Sequence, residues 1–313
     1  MSGLRFPDEI RCGLTLGGGS PEQILDFARR AEAAGIDSLW TGDHIAFHVP
    51  ILESLSLLAF VAAATRRVRL GTAVYLLALR HPTLAAKTGA SVDRLAGGRL
   101  VLGVGVGGEF PPEWEAVGVP VRERGSRTDE SIGLLRRLWS EERVVHRGRH
   151  FEFGPVTLEP RPARAGGPPI LIGGRRGPAF RRAGRLGDGY LSHMCSPEQY
   201  RKNLEEIAGH ARAAGRGEAP FEPGAFLFAV FDERYEAALE RAVTQLERIY
   251  RVPFRDAAPK YALLGRPEDC LEQLRRFVRA GCRSFVLAPL MSHDQALDAL
   301  GQGLLSGLPG LLR

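Results

Sequence analysis

The 313-residue chain is short of lysine and has no paired cysteines. Lysine occurs only at Lys87, Lys202 and Lys260, so 39 of the 42 basic residues are arginine. Those arginines are scattered and interleaved with acids. The net charge of +6 therefore reflects a chain-wide arginine preference and not the basic stripe of a nucleic-acid surface, so no nucleic-acid partner is expected. Cys12, Cys195, Cys270 and Cys282 form no C-x-x-C pair, which fits a reducing cytoplasm. No charged segment followed by an apolar one opens the chain. No apolar run approaches the roughly 20 residues of a membrane helix either. The closest, LESLSLLAFVAAAT, carries Glu53, Ser54 and Ser56. A soluble, cytoplasmic protein without a membrane partner is expected.

A working nucleotide fingerprint is also missing. RLVLGVGVGGEF has Gly103, Gly105 and Gly108 in G-x-G-x-x-G spacing after an apparent buried strand. In the dinucleotide motif the last glycine opens a helix, and an acidic residue about 20 positions on takes the ribose. Here the glycines run into Phe110-Pro111-Pro112, so no helix starts in register, and RERGSRTDE stands where the second strand would end. The glycines need another explanation.

What the sequence does contain is a repeated helix-to-strand unit. SPEQILDFARRAEAAGIDSLW starts at Ser20 as N-cap, with Pro21 at the first helical position and Gln23 in capping-box position, and ends at Gly35. SPEQYRKNLEEIAGHARAAG repeats the pattern from Ser196 to Gly215, and RPEDCLEQLRRFVRAGCRSFVLAPL repeats its later part through Gly281. Leu271, Leu274, Phe277 and Val278 fall at helical spacing and predict one buried face. Short apolar runs give eight strands: RCGLTL, DSLWTG, VRLGTAVYLL, RLVLGVG, PPILIGG, GYLSHM, GAFLFAVF and SFVLAPL. They alternate with eight helices, the last starting at His293.

Continuously apolar strands are covered on both faces, and right-handed crossovers close such a sheet. The fold class is α/β, a (β/α)8 TIM barrel over residues 1–313, with loop insertions at about 107–126, 141–168 and 251–265. The second insertion, with HRGRHFEF and VTLEP, is apolar enough for a small hairpin covering part of the barrel. A doubly wound open sheet is the alternative.

In such a barrel the active site lies at the strands' C-terminal ends. Strand two ends in Gly42-Asp43-His44, strand four in Gly105-Val106-Gly107-Gly108-Glu109, strand five in Gly173-Gly174-Arg175-Arg176 and strand six in His193. Without side chains, Gly103 and Gly105 leave room for something flat against the backbone. IGGRRGPAF combines loop amides, two arginines and a helix start, which converge on one anion as a phosphate cradle. Asp43, His44 and His48 lack a matching third metal ligand, and no metal is expected. A histidine beside an acid at a strand end suits proton transfer or hydrogen bonding to a bound ring.

SLWTGDH, LGTAVYLLALRHPTLAAKTGASVDRLAGGRLVLGVGVGGEF, the ERGSRTDE helix start with RRLW, and ILIGG…GRLGDGYL together resemble the luciferase-like monooxygenase superfamily. The resemblance runs from strand one through strand eight, and its most specific part is the RHP…K…D…GGRLVLGVG block. It implies a flavin-type ring held against strands two to four, with its phosphate near the strand-five turn. The expected cofactor is the deazaflavin coenzyme F-420, with FMN as the alternative. His44 matches the proton donor of the deazaflavin-dependent sugar-phosphate dehydrogenases, beside Asp43. Glu109 lies near their proton acceptor, although this sequence has an additional glycine there. Leu76 stands where such enzymes can carry a hydroxyl, and Ala73–Val74 matches a non-prolyl cis peptide.

The resemblance thus makes His44 and Glu109 catalytic candidates. Asp43, Ala73, Val74, Leu76, Gly105, Gly107, Gly173, Gly174, Arg175 and Arg176 are the cofactor-binding candidates. It implies a homodimeric oxidoreductase that moves hydride to or from a small organic substrate, with or without oxygen insertion. A metal-dependent barrel hydrolase and a non-catalytic flavin-binding protein are the alternatives.

Overall fold

The computed structural model describes residues 4–108 and 110–312. Eight parallel strands form its centre: β1 (Arg11–Thr15), β2 (Ser38–Thr41), β3 (Arg69–Thr72), β4 (Leu100–Gly105), β5 (Ile170–Gly173), β6 (Gly189–His193), β7 (Glu222–Phe231) and β8 (Ser284–Pro289). Each pairs with its sequence neighbours, and β8 pairs back onto β1, so the sheet closes in the order the chain makes it. This is the closed (β/α)8 barrel expected from the sequence, and all eight apolar runs are strands. Closure buries both faces, which is why β4 and β5 are buried at every position.

The helices follow from local chemistry. In α1 (Pro21–Ala33) Ser20 and Gln23 form a capping box, and in α6 (Pro197–Ala213) Ser196 and Gln199 form the same one, each with proline at the helix start. Gly35, Gly215 and Gly281 follow α1, α6 and α8 (Pro267–Arg279) at φ of 87°, 71° and 108°, a conformation that costs glycine nothing. The other barrel helices are α2 (Ser54–Ala64), α3 (Pro82–Leu95), α4 (Arg124–Ser140), α5 (Gly177–Leu186), α7 (Tyr235–Tyr250) and α9 (His293–Ala299).

The three long connections carry structure. The first holds a short helix, Pro111–Ala116, and the second an antiparallel hairpin of Val144–Arg147 and Glu152–Val156. The hairpin covers the outside of the barrel's helices, with Val144 and Phe151 buried in the same hydrophobic cluster as the barrel and the Phe151 ring 5.3 Å from His81 at the start of α3, and it is held to α4. There Glu130 accepts from His146 and from the backbone N–H groups of His150 and Phe151. In the third connection Ala262–Gly265 forms a further parallel strand on the outer half of β7. The sequence reading leaves this strand as loop.

Below its mouth the barrel is a packed core. Trp40 is fully buried among Val101, Leu171, Leu191 and Val286, and its indole N–H donates to Ser38 Oγ at 2.7 Å. A Cβ on Gly71 would lie 2.3 Å from the Trp40 ring, so the glycine there makes room for the indole. All four cysteines are buried and free. Among the described residues no helix is long and apolar enough to cross a membrane.

Candidate active site

Thr15, Ala73, Val74 and His193 lie at or just beyond the C-terminal ends of β1, β3 and β6, with Phe226 of β7 paired beside His193, and all five are only half-buried within an otherwise buried sheet. They mark an open mouth at the barrel end where α/β barrels carry their chemistry. On one side the chain leaves β3 through a cis Ala73–Val74 peptide and enters a two-residue strand, Tyr75–Leu76, paired to the end of β4. The cis bond is the one that the family resemblance implies.

The glycines of β4 and β5 serve this bulge, which corrects their reading as bare wall for a flat ligand. A Cβ on Gly105 would stand 2.2 Å from Val74 Cγ2, and one on Gly173 2.7 Å from Val74 Cγ1. A Cβ on Gly103 would stand 2.0 Å from the Thr72 carbonyl oxygen, which also shows that the space beside these glycines is filled by the bulge. A Cβ on Gly107, whose φ is 54°, would stand 2.9 Å from Leu76 Cδ2, and the Leu76 side chain itself is buried with Ala78, Leu79 and Trp114. Ala73 and Val74 remain half-exposed at this wall.

His44 and Asp43, adjacent in sequence, have different partners. Both Asp43 oxygens are engaged inside the protein. Ser54 Oγ and an Arg80 nitrogen donate to Oδ1 at 3.1 and 2.9 Å, while the Leu76 N–H and a second Arg80 nitrogen donate to Oδ2 at 2.8 and 2.7 Å. With four donors on a 3%-exposed carboxylate, Asp43 anchors the Tyr75–Leu76 segment and does not present its side chain to a ligand, contrary to the expected contact. Arg80 completes this anchor by lying over the Tyr75 ring at 4.2 Å.

His44 Nδ1 lies 3.1 and 3.2 Å from the two carboxylate oxygens of Glu113, which is 1% exposed and also accepts the Ile45 N–H at 3.2 Å. A carboxylate oxygen accepts, so Nδ1 carries the hydrogen of this bond and Nε2 is the ring nitrogen left for another partner. Phe47 stacks on the imidazole at 4.0 Å, which fixes the ring plane. His48 stacks on the other side of Phe47 and bonds the Ile249 carbonyl oxygen at 2.9 Å, tying this loop to the end of α7.

Glu113, in the short helix after β4, is missing from the sequence reading. The only signal was an acid just after Pro111-Pro112 in a loop on the catalytic face. Glu109, the acid the sequence reading selects there, lies outside the described residues.

Across the mouth, Gly174 takes a φ of 150°, and Arg175 and Arg176 follow as exposed residues before α5. The first turn of α5 holds no acid, and among the described residues neither arginine forms an ion pair. Most of the chain's partly buried arginines hold carboxylates or carbonyls; Arg175 instead reaches Met194 Sδ at 3.6 Å, and both arginines stand at the start of α5, where the Ala179 and Phe180 N–H groups already donate to the Arg176 carbonyl oxygen. Next to them, at the end of β6, burial and the Arg175 charge push the His193 imidazole down to about 4, so it is neutral at neutral pH. The sequence places His193 at a strand end without giving it a role.

Comparison with known proteins agrees with this geometry. A model of the luciferase-like monooxygenase family matches residues 1–284. An F-420-dependent glucose-6-phosphate dehydrogenase of Kineococcus radiotolerans is 34% identical, over 71% of this chain and 67% of that one. The protein of the same name from Intrasporangium calvum is 30% identical over 93% and 96% of the two chains. Among solved structures, a monooxygenase from Streptomyces bottropensis superimposes with a TM-score of 0.83 at 26% identity, over 95% of this chain and 99% of that one. An F-420-dependent secondary alcohol dehydrogenase, solved with an F-420–acetone adduct, shares the fold with a TM-score of 0.85 at 21% identity, over 97% and 99%.

Proposed function

This chain belongs to the luciferase-like monooxygenase family, and from that membership we propose that it is an oxidoreductase using the deazaflavin coenzyme F-420 to exchange hydride with a small organic substrate. The observation that carries the reading is His44, a half-buried imidazole at the barrel mouth whose Nδ1 is fixed by buried Glu113. The residues present fit such a cofactor: Ala73 and Val74 offer an apolar shelf, and the exposed Arg175 and Arg176 guanidinium groups, in no ion pair among the described residues, offer donors for a phosphate. When bound, the deazaflavin supplies a ring carbon that takes or gives hydride. His44 Nε2 then takes or returns the proton that accompanies it, with Glu113 stabilising the imidazolium. Asp43 and Arg80 keep the shelf in place.

The same reading takes the protein as a homodimer without a nucleic-acid partner; Phe60 of α2 and Leu84 of α3 are exposed apolar residues available for that contact. The test is titration of the apo-protein with F-420 and with FMN, followed by reduction with and without air. F-420 should bind, and Arg176→Glu should weaken it about tenfold or more without unfolding the chain, because a guanidinium–phosphate contact becomes a repulsion. Tight FMN binding with rapid oxygen consumption, and no F-420 affinity, would overturn the cofactor assignment.

A further inference from the structure

The barrel mouth is divided by side-chain type. On the β3–β5 side the inward positions are the bulge and the glycines that seat it. On the β6–β7 side they are rings. The His193 centroid lies 5.3 Å from Phe226 and 5.7 Å from Phe228, and Phe226 meets Phe228 edge-on at 5.5 Å and 86°. Tyr250, from the end of α7, closes the group 6.1 Å from Phe228, with its hydroxyl 3.5 Å from His193 Nε2. His193, Phe226 and Tyr250 are half-buried, while Phe228 is only 6% exposed and backs them. Phe226 packs on the same interior cluster as Ala73 and Val74, so the ring side and the bulge side share one space.

We propose that the β6–β7 side of the mouth is a substrate subsite for an uncharged, ring-bearing compound, an alcohol or its carbonyl counterpart, and not for a phosphorylated sugar. The proposal rests on the cofactor reading above only in taking the β3–β5 side and the strand-five turn as the cofactor's. Three half-exposed rings in edge-on and tilted contact present faces and edges that suit another ring. A phosphate dianion needs converging cationic donors, and this side lacks them. No lysine or arginine stacks on these rings among the described residues. Arg175 is the cation that reaches the group, with its guanidinium nitrogen 3.6 Å from Met194 Sδ, and it stands at the cofactor's phosphate end. The polar atoms within the group are a neutral imidazole and a phenol, suited to orient one hydroxyl or carbonyl.

The test uses the full chain and para-fluorobenzyl alcohol as probe, with its binding read by fluorine NMR line broadening, with and without F-420. The probe should bind, and glucose 6-phosphate at equal concentration should fail to displace it. Phe226→Ala should weaken the probe roughly tenfold while the F-420 affinity stays within about twofold. If Phe226→Ala does not fold, Phe226→Leu keeps the apolar volume without the ring and should still weaken the probe several-fold. Absence of probe binding, displacement by glucose 6-phosphate, or equal affinity in the folded Phe226 variant would overturn the subsite. Loss of F-420 binding with Phe226-dependent probe binding intact would instead count against the cofactor reading alone and would support the subsite.

Discussion

At the scale of single residues, the site depends on which nitrogen of His44 is committed. Glu113 holds Nδ1 with both oxygens at 3.1 and 3.2 Å, so His44 and Glu113 act as one unit with the open Nε2 as its working end. His44→Phe keeps a flat ring on Phe47 and removes both nitrogens. Turnover should fall about 10²- to 10⁴-fold with cofactor affinity nearly unchanged. Glu113→Gln can still accept one hydrogen bond but loses the charge that stabilises the imidazolium. It should cost roughly ten- to a hundredfold in kcat, with a shifted pH–rate profile that a merely structural glutamate would not produce. A profile unchanged in Glu113→Gln, at normal stability, would return the pair to a packing role. His44 is legible in sequence because a strand end names it. Glu113 is not, because it approaches from a different connection, 69 residues away.

Among elements, the eight strands are readable because each is a continuous apolar run, the direct result of helices outside and packed side chains inside. Ala262–Gly265 escapes that reading because it lies within a Pro- and Arg-rich stretch and pairs outside the closed ring. The glycines of β4 and β5 are visible as glycines, but sequence does not say what fills the space beside them. The structure puts Val74 there, and this has a consequence that a ligand wall would not share. Gly105→Ala brings Cβ within 2.2 Å of Val74 Cγ2, and a β-branched side chain has little freedom to move away. The variant should lose about 1–3 kcal/mol in denaturant unfolding. Adding Val74→Ala should recover much of that loss, a coupling that a double-mutant cycle measures directly. Destabilisation in Gly105→Ala that Val74→Ala does nothing to relieve would show that the glycine answers to something other than the bulge.

Across the whole molecule, the two ends of the barrel carry different duties. Arg69, Arg11 and Glu222 lie at the first residues of β3, β1 and β7, so they meet at the end opposite His44. Arg69 donates to the two Glu222 oxygens at 2.9 and 2.7 Å, and Arg11 stands 3.6 Å away. Burial by itself would raise the Glu222 carboxyl, but the Arg69 hydrogen bonds and the Arg69 and Arg11 charges outweigh it and hold it below the usual carboxylate range. This bridge joins strands far apart around the ring, so its loss is felt by the closed sheet and not by one loop. Glu222→Gln leaves the largely shielded Arg69 guanidinium without its carboxylate, while Arg11 keeps Glu9. It should lower stability by about 2–3 kcal/mol, seen as a lower urea midpoint and melting temperature. Cofactor affinity and turnover should stay within about twofold, because nothing in the bridge reaches the mouth. His44→Phe should instead lose turnover, with a stability loss that comes from the buried Glu113 carboxylate left unpaired and that Glu113→Gln relieves. A Glu222→Gln protein of normal stability but impaired turnover would mean that the packed layer around Trp40 transmits changes between the two ends, and the division of duties along the barrel axis would fail.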